Sequence, residues 1–232
     1  MFLYNFLLQI STVNTEVTDT PPETITLLDL AMKGGLIMIP LALLSIVAVY
    51  IIFERILNLR KIDKDPDVFL EKIKTLVISG DIKGAIAQCQ QFNTPFSRMI
   101  ERGIQKIGTP IPNIEASIEN AGKIEIYQLE KNLSILATIS GLAPMLGFLG
   151  TVTGMVSAFI LLSQKEGTVT TKDLSSGIYE ALITTVAGLI VGVIAYSGYN
   201  YIVSRIDKII HQMEYSSIEF LELLQKPKPH EV

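Results

Sequence analysis

The sequence is poor in the residues that build cross-links and metal centres. Its one cysteine, Cys89, has no second cysteine with which to form a disulfide inside the chain. The two histidines, His211 and His230, lie far apart and cannot complete a zinc site with that cysteine. The composition therefore excludes disulfide scaffolds and zinc folds, and we expect neither a metal nor another cofactor.

Charge is also scarce. Only 18% of the 232 residues are charged, whereas 49% are hydrophobic and the mean hydropathy is +0.42. Lys and Arg number 19 against 23 Asp and Glu, so the chain lacks the positive excess that binding to a phosphate backbone requires. Loops of the G-x-G-x-x-G and G-x-x-x-x-G-K-[ST] types are absent. These features argue against nucleic acid as a partner, against a disordered chain and against an enzyme.

The sequence does contain three long runs without Asp, Glu, Lys or Arg. A helix of about 20 residues crosses a hydrocarbon core about 30 Å thick. Three such runs leave too little polar chain to bury them all in a soluble core. We predict three transmembrane helices, from the runs between Lys33 and Glu54 (20 residues), between Lys131 and Lys165 (33 residues) and between Glu180 and Arg205 (24 residues).

Positive charges predict how these spans are oriented. The connection between spans one and two carries 12 Lys or Arg, whereas the segment before span one has one and the loop between spans two and three has two. Lys and Arg near the ends of spans are retained on the cytoplasmic side. We therefore place the N-terminus outside and the C-terminus inside.

These features predict an all-α integral membrane protein in which spans two and three extend into the cytoplasm as helices. Apolar residues of the long connection recur at helical spacing, and turn signals at Gly80, Pro95 and Pro110 divide it into short helices. Asn113 is a candidate N-cap for a helix that leads without a breaker into span two. The predicted segments are an outer-face N-terminal segment (1–33), span one (34–56), a cytoplasmic helical domain (57–130), span two (131–164), a short outer loop (165–176), span three (177–204) and a cytoplasmic helical tail (205–232).

The chain begins with an apolar segment and finishes with a segment that contains prolines. The first ten residues, MFLYNFLLQI, lack a basic leading segment and no A-x-A cleavage site follows them. An amphipathic helix on the outer face and a cleaved signal peptide both remain open. The last residues, KPKPHEV, are predicted to be disordered.

Small residues lie along one face of each of the last two spans. In span three, five residues follow steps of four, three, four and three, which places them on one side of a helix: Ala181, Thr185, Gly188, Gly192 and Ala195. Such a stripe lets another helix approach closely. We predict helix packing at Gly147, Gly150, Gly154, Ala181, Gly188, Gly192 and Ala195.

Threonines in the same spans offer hydroxyl groups within the lipid. Thr151, Thr184 and Thr185 either line a pore or bond the carbonyl three or four residues back. No span carries an ionisable residue at mid-depth, where a transporter acting as a single chain would need one. The nearest carboxylate is Glu180 at the outer start of span three, and it is either interfacial or functional. If several copies surrounded an axis, the hydroxyls could relay protons while another molecule supplied the titrating group.

Two segments carry a family likeness. Span two contains GLAPMLGFLGTVTGM (141–155), and span three lies in GIYEALITTVAGLIVGVIAYSGYN (177–200). With the three spans and the large cytoplasmic connection, they resemble the MotA/TolQ/ExbB proton-channel family, and its ExbB members most closely. The motifs L-G-x-x-G-T-V-x-G and E-A-L-x-x-T-x-x-G-L carry this resemblance, which extends over nearly the whole chain.

The resemblance implies a homopentamer in the bacterial inner membrane, with spans two and three around a central pore and span one facing lipid. Inside the pore, single-span helices of an ExbD-like partner would supply the aspartate that carries the proton. By their place in the motifs, Thr151 and Thr185 correspond to pore threonines, and Glu180 corresponds to the glutamate that opens span three. With the adjacent Thr184, these residues are the ones that the resemblance implies for the proton pathway. Proton entry would rotate the pentamer around its partner, and a TonB-like protein would pass the work to uptake across the outer membrane.

Two positions depart from the family's pattern. Ile194 stands where members often have proline in span three, and Thr153 stands where an aromatic residue often follows the T-V pair. The subfamily therefore stays open, with a TolQ-like role and a gliding or flagellar stator role as alternatives. Two alternatives belong to other functional classes: a non-conducting membrane scaffold and a self-contained transporter. The absence of charged residues in the middle of the spans argues against the transporter.

Overall fold

The computed structural model describes residues 34–62, 66–164 and 171–225. Within them the chain forms seven α-helices and no β-strand, which confirms the predicted all-α fold. The expectations for the N-terminal segment 1–33 and for the tail 226–232 lie outside these residues. The helices are α1 (Met38–Ile62), α2 (Pro66–Ile78), α3 (Ile82–Phe92), α4 (Pro95–Ile104), α5 (Ile111–Glu130), α6 (Leu133–Gln164) and α7 (Thr171–Gln225).

Three helical stretches of the described chain are long and apolar enough to cross a membrane. They contain α1, α6 and the first half of α7, as the charge-free runs predict. Many of their large side chains stay exposed, among them Phe53, Phe148 and Val193 at 63–68% of full exposure. So many exposed large apolar side chains need lipid or a neighbouring subunit to cover them. The chain is therefore a multi-pass membrane protein.

Helices α2 to α5 and the second half of α7 form an extramembrane bundle. In its core the ring centroid of Phe69 lies 5.1 Å from that of Phe92 and 5.4 Å from that of Phe96, which joins α2, α3 and α4. Phe220 of α7 and Ile118 of α5 are each 1% exposed and belong to the same core. The bundle thus anchors the far half of α7.

The predicted turn signals lie between the short helices. Gly80 and Gly108 have φ angles of +79° and +99°, and Asn93 has a φ of +47°. This left-handed region commonly ends a helix. At the start of α4, the Thr94 hydroxyl accepts from the Ser97 amide while the Ser97 hydroxyl accepts from the Thr94 amide, which is a capping box. The division of the connection into short helices is confirmed.

Two helix starts differ from the sequence prediction. The predicted N-cap at Asn113 is wrong, because α5 already begins at Ile111. Pro112 lacks an amide proton and fits the first turn, where that proton would have no partner inside the helix. Helix α7 begins at Thr171, inside the predicted outer loop 165–176. The end of a charge-free run indicates where lipid ends, and a helix can continue past it into water.

The helix that leads into span two is interrupted. Helix α5 ends at Glu130 and α6 begins at Leu133, and Asn132 between them has a φ of +66°. Asparagine adopts this left-handed conformation more readily than most residues, so the break needs neither glycine nor proline. Span three, in contrast, continues into the bundle as one helix of 55 residues.

Candidate functional site in the paired spans

The residues singled out in spans two and three lie along the contact between α6 and the first half of α7. The backbones approach closely at Gly188, where a Cβ atom would lie 2.6 Å from the carbonyl oxygen of Ala143 and 2.8 Å from Cα of Gly147. A Cβ on Gly147 would lie 3.0 Å from the carbonyl oxygen of Thr184. Because these neighbours are backbone atoms, no change of rotamer can make room. The two helices touch through glycine here.

The same contact continues in both directions. A Cβ on Gly154 would lie 3.0 Å from Cβ of Ala181, and one on Gly192 would lie 2.5 Å from Cγ of Pro144. Ala195 is fully buried in the core farther along α7. The structure therefore brings the small residues of the two spans together within one subunit.

Two further contact residues were not recognised from the sequence. A Cβ on Gly177 would lie 2.7 Å from Cβ of Ala158, so this pair continues the contact by another turn. Gly177 stands four residues before Ala181, and extending the small-residue spacing backwards by one step would have found it. Pro144 gave no such signal, because proline inside a helix indicates a break or kink and not a packing surface.

Thr185 and Thr151 are partly exposed on this helix pair. The Thr185 hydroxyl donates to the Gly147 carbonyl oxygen at 2.9 Å and so bonds α7 to α6. The Thr151 hydroxyl donates to the Phe148 carbonyl oxygen of its own helix at 2.6 Å. Each hydroxyl oxygen retains lone pairs that can accept a proton-bearing group from outside the subunit. Both positions can thus contribute to a polar surface.

Thr184 lies inside the contact. It is 1% exposed, and its hydroxyl donates to the Ala181 carbonyl oxygen at 2.8 Å. A Cβ on Gly150 of α6 would overlap this hydroxyl. Within one subunit this placement favours helix packing for Thr184, whose part in a pore stays a prediction.

Glu180 lies at one end of the pair and is half-buried. Its carboxyl group packs against Gly35, which precedes α1 and has a φ of +66°. Between residues 133 and 164, and again between 181 and 204, the sequence has no Asp, Glu, His, Lys or Arg. The described residues also hold no group of three His, Cys, Asp or Glu side chains that could bind a metal. The paired spans therefore offer hydroxyl groups along their length and one carboxyl group at an end.

At the other end of the spans, Arg55 caps helix α5. Its Nη1 lies 3.3 Å from the carbonyl oxygen of Gln128 and 3.5 Å from that of Leu129, although the side chain is only 9% exposed. A cation that donates to the last carbonyls of a helix also interacts favourably with the helix dipole. Its Nε and Oε2 of Glu54 make no hydrogen bond and lie 3.6 Å apart. The sequence indicated Arg55 only as one of many positive charges behind span one.

Comparisons with known proteins agree with this architecture. Residues 91–215 match the family described as the MotA/TolQ/ExbB proton channel family. A biopolymer transport protein of Methanothermobacter thermautotrophicus, named as an ExbB homologue, is 32% identical over 192 residues, which cover 82% of this chain and 67% of that protein. The biopolymer transport protein ExbB of Aquifex aeolicus is 39% identical over 107 residues, covering 46% and 68%. The Tol-Pal system protein TolQ of Haemophilus influenzae is 35% identical over 105 residues, covering 44% of each chain.

Proposed function

Because this chain belongs to the MotA/TolQ/ExbB proton channel family, we propose that it is an ExbB-like subunit of a motor driven by the proton-motive force. Five copies surround an ExbD-like dimer in a bacterial inner membrane, with the N-terminus outside and the extramembrane bundle in the cytoplasm. The proton crosses between the pore wall and the dimer. A TonB-like protein then transmits the work to uptake across the outer membrane.

The observation that carries this proposal is the combination of hydroxyl groups with the absence of an acid at mid-depth. Thr151 and Thr185 remain partly exposed after α6 and α7 have paired, and no Asp, Glu, His, Lys or Arg lies between residues 181 and 204 or between 133 and 164. Hydroxyl groups can relay a proton but cannot store one at neutral pH. A conducting assembly therefore needs a carboxylate from a second polypeptide.

The exposed apolar faces support an assembly of several copies. After α6 and α7 have paired, Met145 and Phe148 of α6 and Leu182 of α7 are still 59–69% exposed. Neighbouring copies and lipid together can cover such surface in a ring. A TolQ-like role is the second candidate, because a TolQ protein is among the relatives at 35% identity.

Proton flux in sealed vesicles tests the lining role of the two threonines. We expect Thr151→Val and Thr185→Val, each co-reconstituted with the single-span partner, to lower proton flux by about tenfold, since a positioned proton-transfer group typically contributes a factor of about 10² to 10⁴ and water can replace it in part. Thr153→Val is the matched control, because Thr153 lies two residues from Thr151 and about 200° around the helix. Thr185→Ser should restore flux, since it keeps the hydroxyl group.

Three outcomes count against the proposal. Unchanged flux in both valine variants removes the lining role. Brisk and selective proton leakage through the purified chain alone shows that no second polypeptide is needed. Purification without any single-span partner carrying a membrane aspartate favours a structural scaffold.

A further inference from the structure

The start of span one packs against Glu180. A Cβ atom on Gly35 would overlap Oε1 of Glu180 and would lie 2.9 Å from its Cδ and 3.6 Å from its Cγ. The carboxyl group therefore packs against the open side of Gly35 through its Oε1 and Cδ atoms. The neighbouring Gly34 faces α7 as well, since a Cβ there would lie 3.4 Å from Cγ2 of Ile183.

Through these two contacts, the turn that contains Gly34 and Gly35 packs on one face of α7. Glu180 and Ile183 are three residues apart, which places them side by side on a helix surface. Gly35 accepts the Met38 amide at 3.2 Å through its carbonyl oxygen, so the turn is tied directly to the first turn of α1. The turn therefore connects the start of span one to the Glu180 side chain.

Glu180 is also linked to span two. Its carbonyl oxygen accepts from the Thr184 hydroxyl at 3.3 Å, and Thr184 packs against Gly150 of α6. The carboxyl group is therefore held between a turn on the α1 side and a helix that is itself fixed against α6. Backbone cover on one side restricts the rotamers of the side chain and limits its contact with water.

We propose that Gly35 is a positioning residue that holds the carboxyl group of Glu180 where it exchanges protons. The proposal rests on the proton-conducting function given above and on the place in the proton pathway that the resemblance implies for Glu180. It assigns to span one a part in that pathway besides contact with lipid. Glycine is favoured here for two reasons. The φ of +66° disfavours other residues, and any side chain would occupy the space of the Glu180 carboxyl group.

The test measures proton flux through the complex of this chain with its single-span partner in sealed vesicles. We expect Gly35→Ala to lower flux by about tenfold or more, because displacing a reacting group by about 1 Å can cost up to about 10²-fold in rate. Gly80→Ala is the matched control: Gly80 has a φ of +79°, so alanine is strained there too, but nothing lies within 4 Å of its Cβ position. We expect Gly80→Ala to conduct like the wild type.

A double-mutant cycle separates the contact from the strain. Glu180→Asp shortens the side chain by one methylene group and withdraws the carboxyl group from Gly35. In the Glu180→Asp background, Gly35→Ala should cost less than about threefold in flux, since residues in contact show non-additive effects. An equal loss in both backgrounds overturns the proposal, because strain alone would then explain it.

The remaining outcomes are also decisive. Equal flux in Gly35→Ala and wild type refutes the positioning role and leaves the proposed function intact, whereas the absence of flux through the wild-type complex refutes the proposed function itself. If Gly35→Ala does not assemble with the partner, assembly of the double variant supports the contact, and failure of both variants to assemble refutes it.

Discussion

Replacing Gly188 by alanine is expected to force the paired spans apart. The new Cβ would lie 2.6 Å from the carbonyl oxygen of Ala143 and 2.8 Å from Cα of Gly147, whereas non-bonded carbon atoms pack at about 3.5–4.0 Å. The helices must therefore separate by about 1 Å at this level. That movement stretches the 2.9 Å bond from the Thr185 hydroxyl to the Gly147 carbonyl oxygen beyond hydrogen-bonding distance.

The expected loss of stability follows from these two effects. Overpacking costs about 1–3 kcal/mol, and an interhelical hydrogen bond in a membrane contributes about 0.6 kcal/mol. Alanine also gains about 0.8–1.0 kcal/mol of helix propensity over glycine. Gly141→Ala, in α6, gains the same propensity but has nothing within 4 Å of the new Cβ. The difference between the two variants isolates the helix contact and should be about 2–3 kcal/mol.

The assay is reversible unfolding in mixed micelles of dodecyl maltoside and dodecyl sulfate, followed by circular dichroism. Gly188→Ala should unfold at a lower fraction of dodecyl sulfate than Gly141→Ala. Equal free energies of unfolding in the two variants would show that the glycine contact does not hold α6 against α7, and the packing argument would then be refuted.

Two further predictions concern residues outside the paired helices. Arg55→Met should speed amide hydrogen exchange at residues 126–134, at the end of α5. The last carbonyl groups of that helix lose a donor that stabilises the turn by about 1 kcal/mol. Arg60 is exposed, and the same exchange rates in Arg55→Met and in the control Arg60→Met would contradict this. Burial, and then the charge of Glu101, raises the pKa of the Cys89 thiol to about 12, so a maleimide at pH 8 should label Cys89 only after unfolding. Labelling as fast as at Ala87→Cys, an exposed position on the same helix, would disprove that burial.

The three spans and the short helices between spans one and two could be predicted because their signals are local. A run of uncharged residues indicates a span by its length, and Gly80 or Pro95 indicates a turn through its own backbone preference. The face of α7 that meets α6 was also predictable, since small residues at steps of three and four share one side of a helix whatever surrounds it.

The features that escaped prediction depend on residues distant in sequence. The break at Asn132 interrupts an apolar stripe that continues on both sides, and its capping group is Arg55, more than 70 residues earlier. The contact of Gly35 with Glu180 joins the start of span one to the start of span three. No local pattern contains either pair, because each exists only once the helices have packed.

Helix α7 has a mechanical consequence for the subunit. With 55 residues and no interruption it is about 80 Å long, which makes it a single stiff shaft from the Glu180 end of the membrane to the far edge of the bundle. The neighbouring path through α5 and α6 is interrupted at Asn132. Arg55 donates to a carbonyl oxygen in the last turn of α5, just before this break. A rotation applied to α7 at the membrane end is therefore transmitted along α7 to its far end, whereas the α5–α6 path can bend at Asn132 to accommodate it.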